Sequence, residues 1–130
     1  MKFKQVLMAG VVVVAAVSLS SAVALAACTI KIGGLAPLSA PGAVGGGEGM
    51  RAAMLIAESD INEAGGILGC DLKVIIADTE GLPEKASAIM EKLITQDGVV
   101  AVGGGYHSSV GVASKDVADN RQIPVVFAET

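Results

Sequence analysis

Aromatic side chains are almost absent from this sequence: 130 residues hold no tryptophan, one tyrosine (Tyr106) and two phenylalanines (Phe3 and Phe127). A core must therefore be assembled from Val, Ile, Leu and Ala, which are plentiful. A basic run is missing too. Nine Lys and Arg face thirteen Asp and Glu, for a formal charge of −4, and Lys2 and Lys4 sit at the extreme N-terminus. An acidic chain without a cationic stripe is a poor partner for nucleic acid or an anionic membrane surface. There is one histidine, His107, and no G-x-S-x-G elbow. Ser108 beside His107 makes no nucleophile–base pair, because adjacent residues rarely face each other productively and no companion acid is evident. No catalytic residue is assigned. The two cysteines, Cys28 and Cys70, lack metal-ligand spacing, so no metal is expected.

The N-terminus has the three-part build of a secretory signal peptide. Lys2 and Lys4 precede an apolar, uncharged run from Val6 to Val17, and small residues from Ser20 to Ala27 close it. That run is short for a bilayer-spanning helix of ~20 residues. Residues 1–27 are read as a leader and 28–130 as the exported part, ~100 residues, the size of one small domain or lobe. The sequence ends on Val125-Val126-Phe127-Ala128-Glu129-Thr130, a strand running out into a loop. A sheet stopping there has an unpaired edge, so the chain is expected to be the front portion of a longer protein.

Periodicity orders the elements. Thr29–Leu35 is predicted as a strand, Pro37–Gly49 as a Gly-, Ala- and Pro-rich loop, and Gly49–Ala64 as a helix. That helix has its apolar stripe at Met50, Ala53, Met54, Ala57, Ile61 and Ala64, and Gly65-Gly66 stops it. Asp71–Ala77 is a second strand. Pro83 and Glu84 open a second helix that ends at Gly98. Val99–Val102 is a third strand, Ser108–Asn120 a third helix and Ile123–Phe127 a fourth strand. Strict strand–helix alternation predicts an α/β fold: a doubly wound parallel sheet with helices on both faces. Ligands then sit beyond the carboxyl ends of the strands. Three loops lie there: Ala36–Gly47, Gly103–Ser109 and Ala128–Thr130.

Gly103-Gly104-Gly105-Tyr106-His107-Ser108-Ser109 concentrates the candidate chemistry. Either Ser108 or Ser109 merely caps the third helix, or the helix's first N–H groups take an anion such as a carboxylate. Gly103-x-Gly105-x-x-Ser108 lacks the third glycine of a dinucleotide fingerprint and follows the wrong strand, so no cofactor is implied. Asp78 and Glu80 read as solvated loop carboxylates.

Cys28 admits two readings. Leu25-Ala26-Ala27-Cys28 has the form of a lipobox, in which Cys28 would be lipidated and anchor a lipoprotein. Alternatively, Cys28 and Cys70 stand just before the first two strands. Parallel neighbours ~4.8 Å apart place such residues within the ~4.4–6.8 Å that a disulfide spans between Cα atoms. Export to an oxidising compartment suits the second reading, with cleavage after Ala26 or Ala27.

Ile30-Lys31-Ile32-Gly33 with Leu35-Ala36-Pro37-Leu38-Ser39, then Ile61-Asn62-Glu63-Ala64-Gly65-Gly66-Ile67-Leu68-Gly69, resembles the branched-chain amino acid family of periplasmic solute-binding proteins. Asp78-Thr79 through Pro83, the Ser108-Ser109 segment and Gln122–Val126 continue the match. The resemblance implies a two-lobed type I binding protein that closes over an amino acid or amide and delivers it to the membrane subunits of an ABC permease. Residues 28–130 would be the first part of its N-terminal lobe. Tyr106 and His107 are counted among the expected ligand-binding residues, His107 as a polar pocket wall or else a surface residue. Ser108 or Ser109 would hold the ligand's α-carboxylate, with Glu129 and Thr130 at its ammonium. Two departures stand out. Val44-Gly45-Gly46-Gly47 lacks the aromatic that relatives often place over the ligand, and Glu129 replaces a small residue, pointing toward an amide, a urea-like compound or a cationic ligand. A lobe of this kind also serves in amino-acid or amide sensors, which a transmembrane or signalling segment beyond Thr130 would indicate.

Overall fold

The computed structural model describes residues 28–128; the expected leader, Glu129 and Thr130 lie outside the described residues. The elements run β1 (Thr29–Ala36), α1 (Val44–Glu63), β2 (Asp71–Asp78), α2 (Pro83–Lys92), β3 (Ala101–Gly104), α3 (Ser108–Arg121) and β4 (Val125–Phe127), with a π-helical turn, Leu93–Asp97, prolonging α2. The four strands are parallel in the order β2-β1-β3-β4. The chain first winds outward from β1 to β2, then crosses back over β1 to β3 and on to β4. That reversal makes the sheet doubly wound, as the alternation predicts.

Successive residues of β1 point to opposite faces, and its glycines show which helix each face meets. A Cβ on Gly33 would lie 2.9 Å from Leu93 Cδ1, whereas one on Gly34 would lie 2.5 Å from Met54 Sδ. Helix α1 therefore covers one face, and α2 with α3 the other. The main core lies on the second face, where Leu35, Met90, Leu93, Val99, Val102 and Ala118 are buried together. Helices α2 and α3 are fastened across their seam by Ser87 Oγ, which donates to Ala113 O at 2.9 Å, and by an Arg121–Glu91 ion pair. Pro83 opens α2, and Gly98 closes its π-helical extension in the left-handed conformation at φ 71°.

Some boundaries, and the cover of α1, differ from the sequence expectation. Helix α1 starts at Val44, so Gly45, Gly46 and Gly47 are its first turn rather than a loop. Two of them, Gly46 and Gly47, serve close approach: a Cβ on Gly47 would sit 2.0 Å from the Pro37 carbonyl oxygen. Strand β3 is displaced to Ala101–Gly104. The π-helical turn ends at Asp97 with Gly98 as its cap, where the helix is expected to stop, and the Val100 N–H donates to Lys31 O at 2.9 Å just ahead of the strand. The α1 stripe is also less covered than its period suggests: Met50, Met54 and Ile61 are half-buried, while Ala53, Ala57 and Ala64 are exposed. Helix α1 lies over β1 and β2, and an apolar groove of about 350 Å³ runs beside it, over Gly103 and Val126.

Cys28 and Cys70 form a disulfide with a Cα–Cα distance of 4.8 Å, at the entry of β1 and β2 where Thr29 pairs with Asp71. Among the described residues no helix is long and apolar enough to cross a membrane.

Candidate functional site

The loops at the carboxyl ends of the strands are organised by a carboxylate. Asp78, the last residue of β2, accepts through Oδ1 from the N–H groups of Leu38 (2.7 Å), Glu80 (2.9 Å) and Ser39 (3.3 Å), and through Oδ2 from the Ser39 hydroxyl. Burial pushes its pKa up, but the Ser39 hydroxyl and the three N–H groups together outweigh burial and hold the carboxyl below its ordinary value. Asp78 is therefore no solvated loop carboxylate: it ties the β1–α1 loop to the β2–α2 loop. Glu80 conforms more closely to that description, since its carboxylate meets Lys85 in a partly exposed ion pair.

The β3–α3 loop packs onto this frame through two rings. The Tyr106 ring rests on Gly46, where a Cβ would lie 2.4 Å from Cε2. The His107 ring rests on Gly81, where a Cβ would lie 2.9 Å from Cε1. The two rings meet edge to face, with centroids 5.3 Å apart. His107 Nδ1 is buried without a hydrogen-bond partner. One ring thus braces the start of α1 and the other the β2–α2 loop, and together they set where α3 begins. Glycine is required at both seats because any side chain there would displace a ring.

His107 is the N-cap of α3 and no side-chain hydrogen bond caps the helix, so neither Ser108 nor Ser109 fills the capping role weighed from the sequence. Both serines are exposed in the first turn of this 14-residue helix, where N–H groups lack intrahelical acceptors and the dipole favours negative charge. Ser108 lines a small cavity of about 230 Å³ with Gly111, Val112, Lys115 and Phe127. The chain leaving β4 stays close, the Ala128 N–H donating to Gly104 O at 3.0 Å. The structure thus brings Ser108 to the end of β4, while Tyr106 and His107 turn toward α1 and the β2–α2 loop. Glu129 and Thr130, expected at the ligand's ammonium, lie outside the described residues. Sequence reasoning missed Asp78, Gly46 and Gly81. The signal for Asp78 was its position at a strand's carboxyl end, next to the Thr79-Glu80-Gly81 turn.

A sheet of this order, with an exposed helix start beside its last strand, defines a doubly wound α/β lobe. Residues 29–130 match the periplasmic binding protein family, and the chain belongs to it. That is a family of binding proteins rather than of enzymes. Two Pseudomonas aeruginosa proteins are similar. An amino acid binding protein is 32% identical over 120 residues, covering 92% of this chain and 32% of its own length. A leucine-, isoleucine-, valine-, threonine- and alanine-binding protein is 34% identical over 102 residues, covering 78% and 27%. Among solved structures, the branched-chain amino acid transporter substrate-binding protein LivJ of Streptococcus pneumoniae, in complex with isoleucine, superposes with a TM-score of 0.72 at 30% identity. The match covers 76% of this chain and 28% of LivJ. The chain spans about a third or less of the length of these relatives.

Proposed function

We propose that this chain is the opening part of the N-terminal lobe of a two-lobed, extracytoplasmic substrate-binding component of an ABC importer. Its ligand is a branched-chain or related amino acid, or an amide, held in the cleft between the lobes and handed to the permease subunits. Residues 1–27 are its export leader and the periplasm its compartment. Cys28 is oxidised with Cys70 rather than lipidated, since one sulfur cannot carry both bonds.

The observation that carries this reading is the exposed first turn of α3 beside the end of β4. The N–H groups of that turn, with the Ser108 hydroxyl, suit a carboxylate, and Ser109 flanks them. Glu129 and Thr130, the next residues along from Ala128, supply oxygens for the ammonium. Tyr106 and His107 wall the site from the side and fix its backbone.

Calorimetric titration of the full-length protein with branched-chain amino acids and their amides tests this. Ser108→Ala is expected to weaken binding ~10–100-fold with the fold intact, the worth of a lost charge-assisted hydrogen bond. Glu129→Gln is expected to cost more affinity for a zwitterionic or cationic ligand than for one without an ammonium. Unchanged affinity in Ser108→Ala and Ser109→Ala alike would remove the carboxylate site from this loop.

A further inference from the structure

The outer edge of β2 is occupied by side chains instead of a strand. Among the described residues β2 ends the sheet, and the Asp71 N–H is spent on Cys28 O at 3.0 Å, so by alternation Leu72 and Val74 direct their N–H groups away from β1. An edge of this kind invites pairing with another chain. Here α1 closes it. Asn62 Oδ1 accepts from the Leu72 N–H at 2.7 Å, while Asn62 Nδ2 donates to Leu72 O at 2.9 Å. One helical turn earlier, Glu58 Oε2 accepts from the Val74 N–H at 2.6 Å, and Oε1 takes the Lys73 ammonium at 2.9 Å. The Asn62 amide thus imitates the two bonds of a neighbouring strand residue, and Glu58 supplies the next acceptor along.

We propose that Glu58 and Asn62 form a latch over the β2 edge, and that the partner this edge takes when unlatched is β2 of a second copy of the chain. The segment Leu72-Lys73-Val74-Ile75-Ile76-Ala77 is rich in β-branched residues and free of Pro and Gly, the composition that pairs edge to edge. Antiparallel pairing about Val74 is self-complementary: Leu72 falls opposite Ile76 and Lys73 opposite Ile75, so no like charges oppose. The latch supplies the same N–H and C=O partners from within the chain, and the edge stays closed to strangers.

The test uses the full-length protein and its Glu58→Ala/Asn62→Ala variant, compared by light scattering across a range of concentration and by amide hydrogen exchange. The wild type is expected to stay monomeric. The variant is expected to self-associate, with Leu72 and Val74 amides that exchange at least ~10-fold faster when dilute and regain protection as concentration rises. A folded variant that stays monomeric overturns the proposal. So does association that leaves those two amides fast, since contact then lies elsewhere. If the double variant does not fold, Glu58→Ala alone decides: faster exchange at Val74 with Leu72 unchanged is expected, and unchanged exchange at Val74 overturns the latch.

Discussion

Replacing Asp78 by alanine would leave the N–H groups of Leu38 and Glu80 without their acceptor. Hydrogen bonds to a charged group are worth about 1.5–3 kcal/mol, so Asp78→Ala is expected to lower the unfolding free energy by about 2 kcal/mol in urea titrations. The pH dependence has a fixed sign. The folded state holds this carboxyl below its ordinary value, so the stabilisation is complete above the unfolded pKa, near 4, and is lost as pH falls through the lower folded value. Asp78→Asn is expected to flatten that acid limb, and a limb of unchanged steepness would assign it to other carboxylates. Sequence reading did not find this role. A lone Asp after a strand looks the same whether it meets solvent or three N–H groups, and two of those donors, Leu38 and Ser39, come from a loop 40 and 39 positions away. The cysteine pairing was more accessible, because strand spacing alone sets where two residues preceding adjacent parallel strands lie.

At the scale of elements, adjacent glycines in one helix turn are expected to respond oppositely to alanine. A Cβ at Gly45 meets nothing within 4 Å, whereas one at Gly47 meets the Pro37 carbonyl at 2.0 Å. Gly45→Ala is expected to stabilise by about 0.5–1 kcal/mol through helix propensity, and Gly47→Ala to destabilise by about 1–3 kcal/mol through overpacking. Thermal denaturation of the two variants separates them, and a shared sign would count against the packing at Pro37. Composition alone assigns a triple glycine to a loop; only the neighbouring chain reveals that it admits a backbone contact. The π-helical turn was equally illegible, since Leu93–Asp97 carries an ordinary helical sequence.

For the whole molecule, the doubly wound order followed from strict alternation and from short apolar runs, and it is observed. Which part of the sheet stays uncovered did not follow, because hydrophobic period reports that a face is apolar and not how far a helix reaches across it. The Cys28–Cys70 bond spans 42 positions and constrains the unfolded chain. Loop-closure entropy puts its contribution at about 2–4 kcal/mol, and reduction is expected to lower the melting temperature by on the order of 10 °C. Melting with and without reductant, against a Cys28→Ala/Cys70→Ala variant that should no longer respond, measures it.

The thioether of Met54, seated against Gly34 and Gly104 in the middle of the sheet, makes this lobe vulnerable to peroxide. Oxidation converts a compliant apolar group into a polar sulfoxide, here on a half-buried side chain that lies against Gly34 and Gly104 and lines the apolar groove. Mild peroxide is expected to loosen α1 from β1 and β3, seen as faster amide exchange along the helix. Met54→Leu is expected to abolish that response while Met90, fully buried on the inner side of α2, reacts later. The same bare glycines that let the Met54 side chain lie close against the strands bring an oxidisable sulfur to the middle of the sheet.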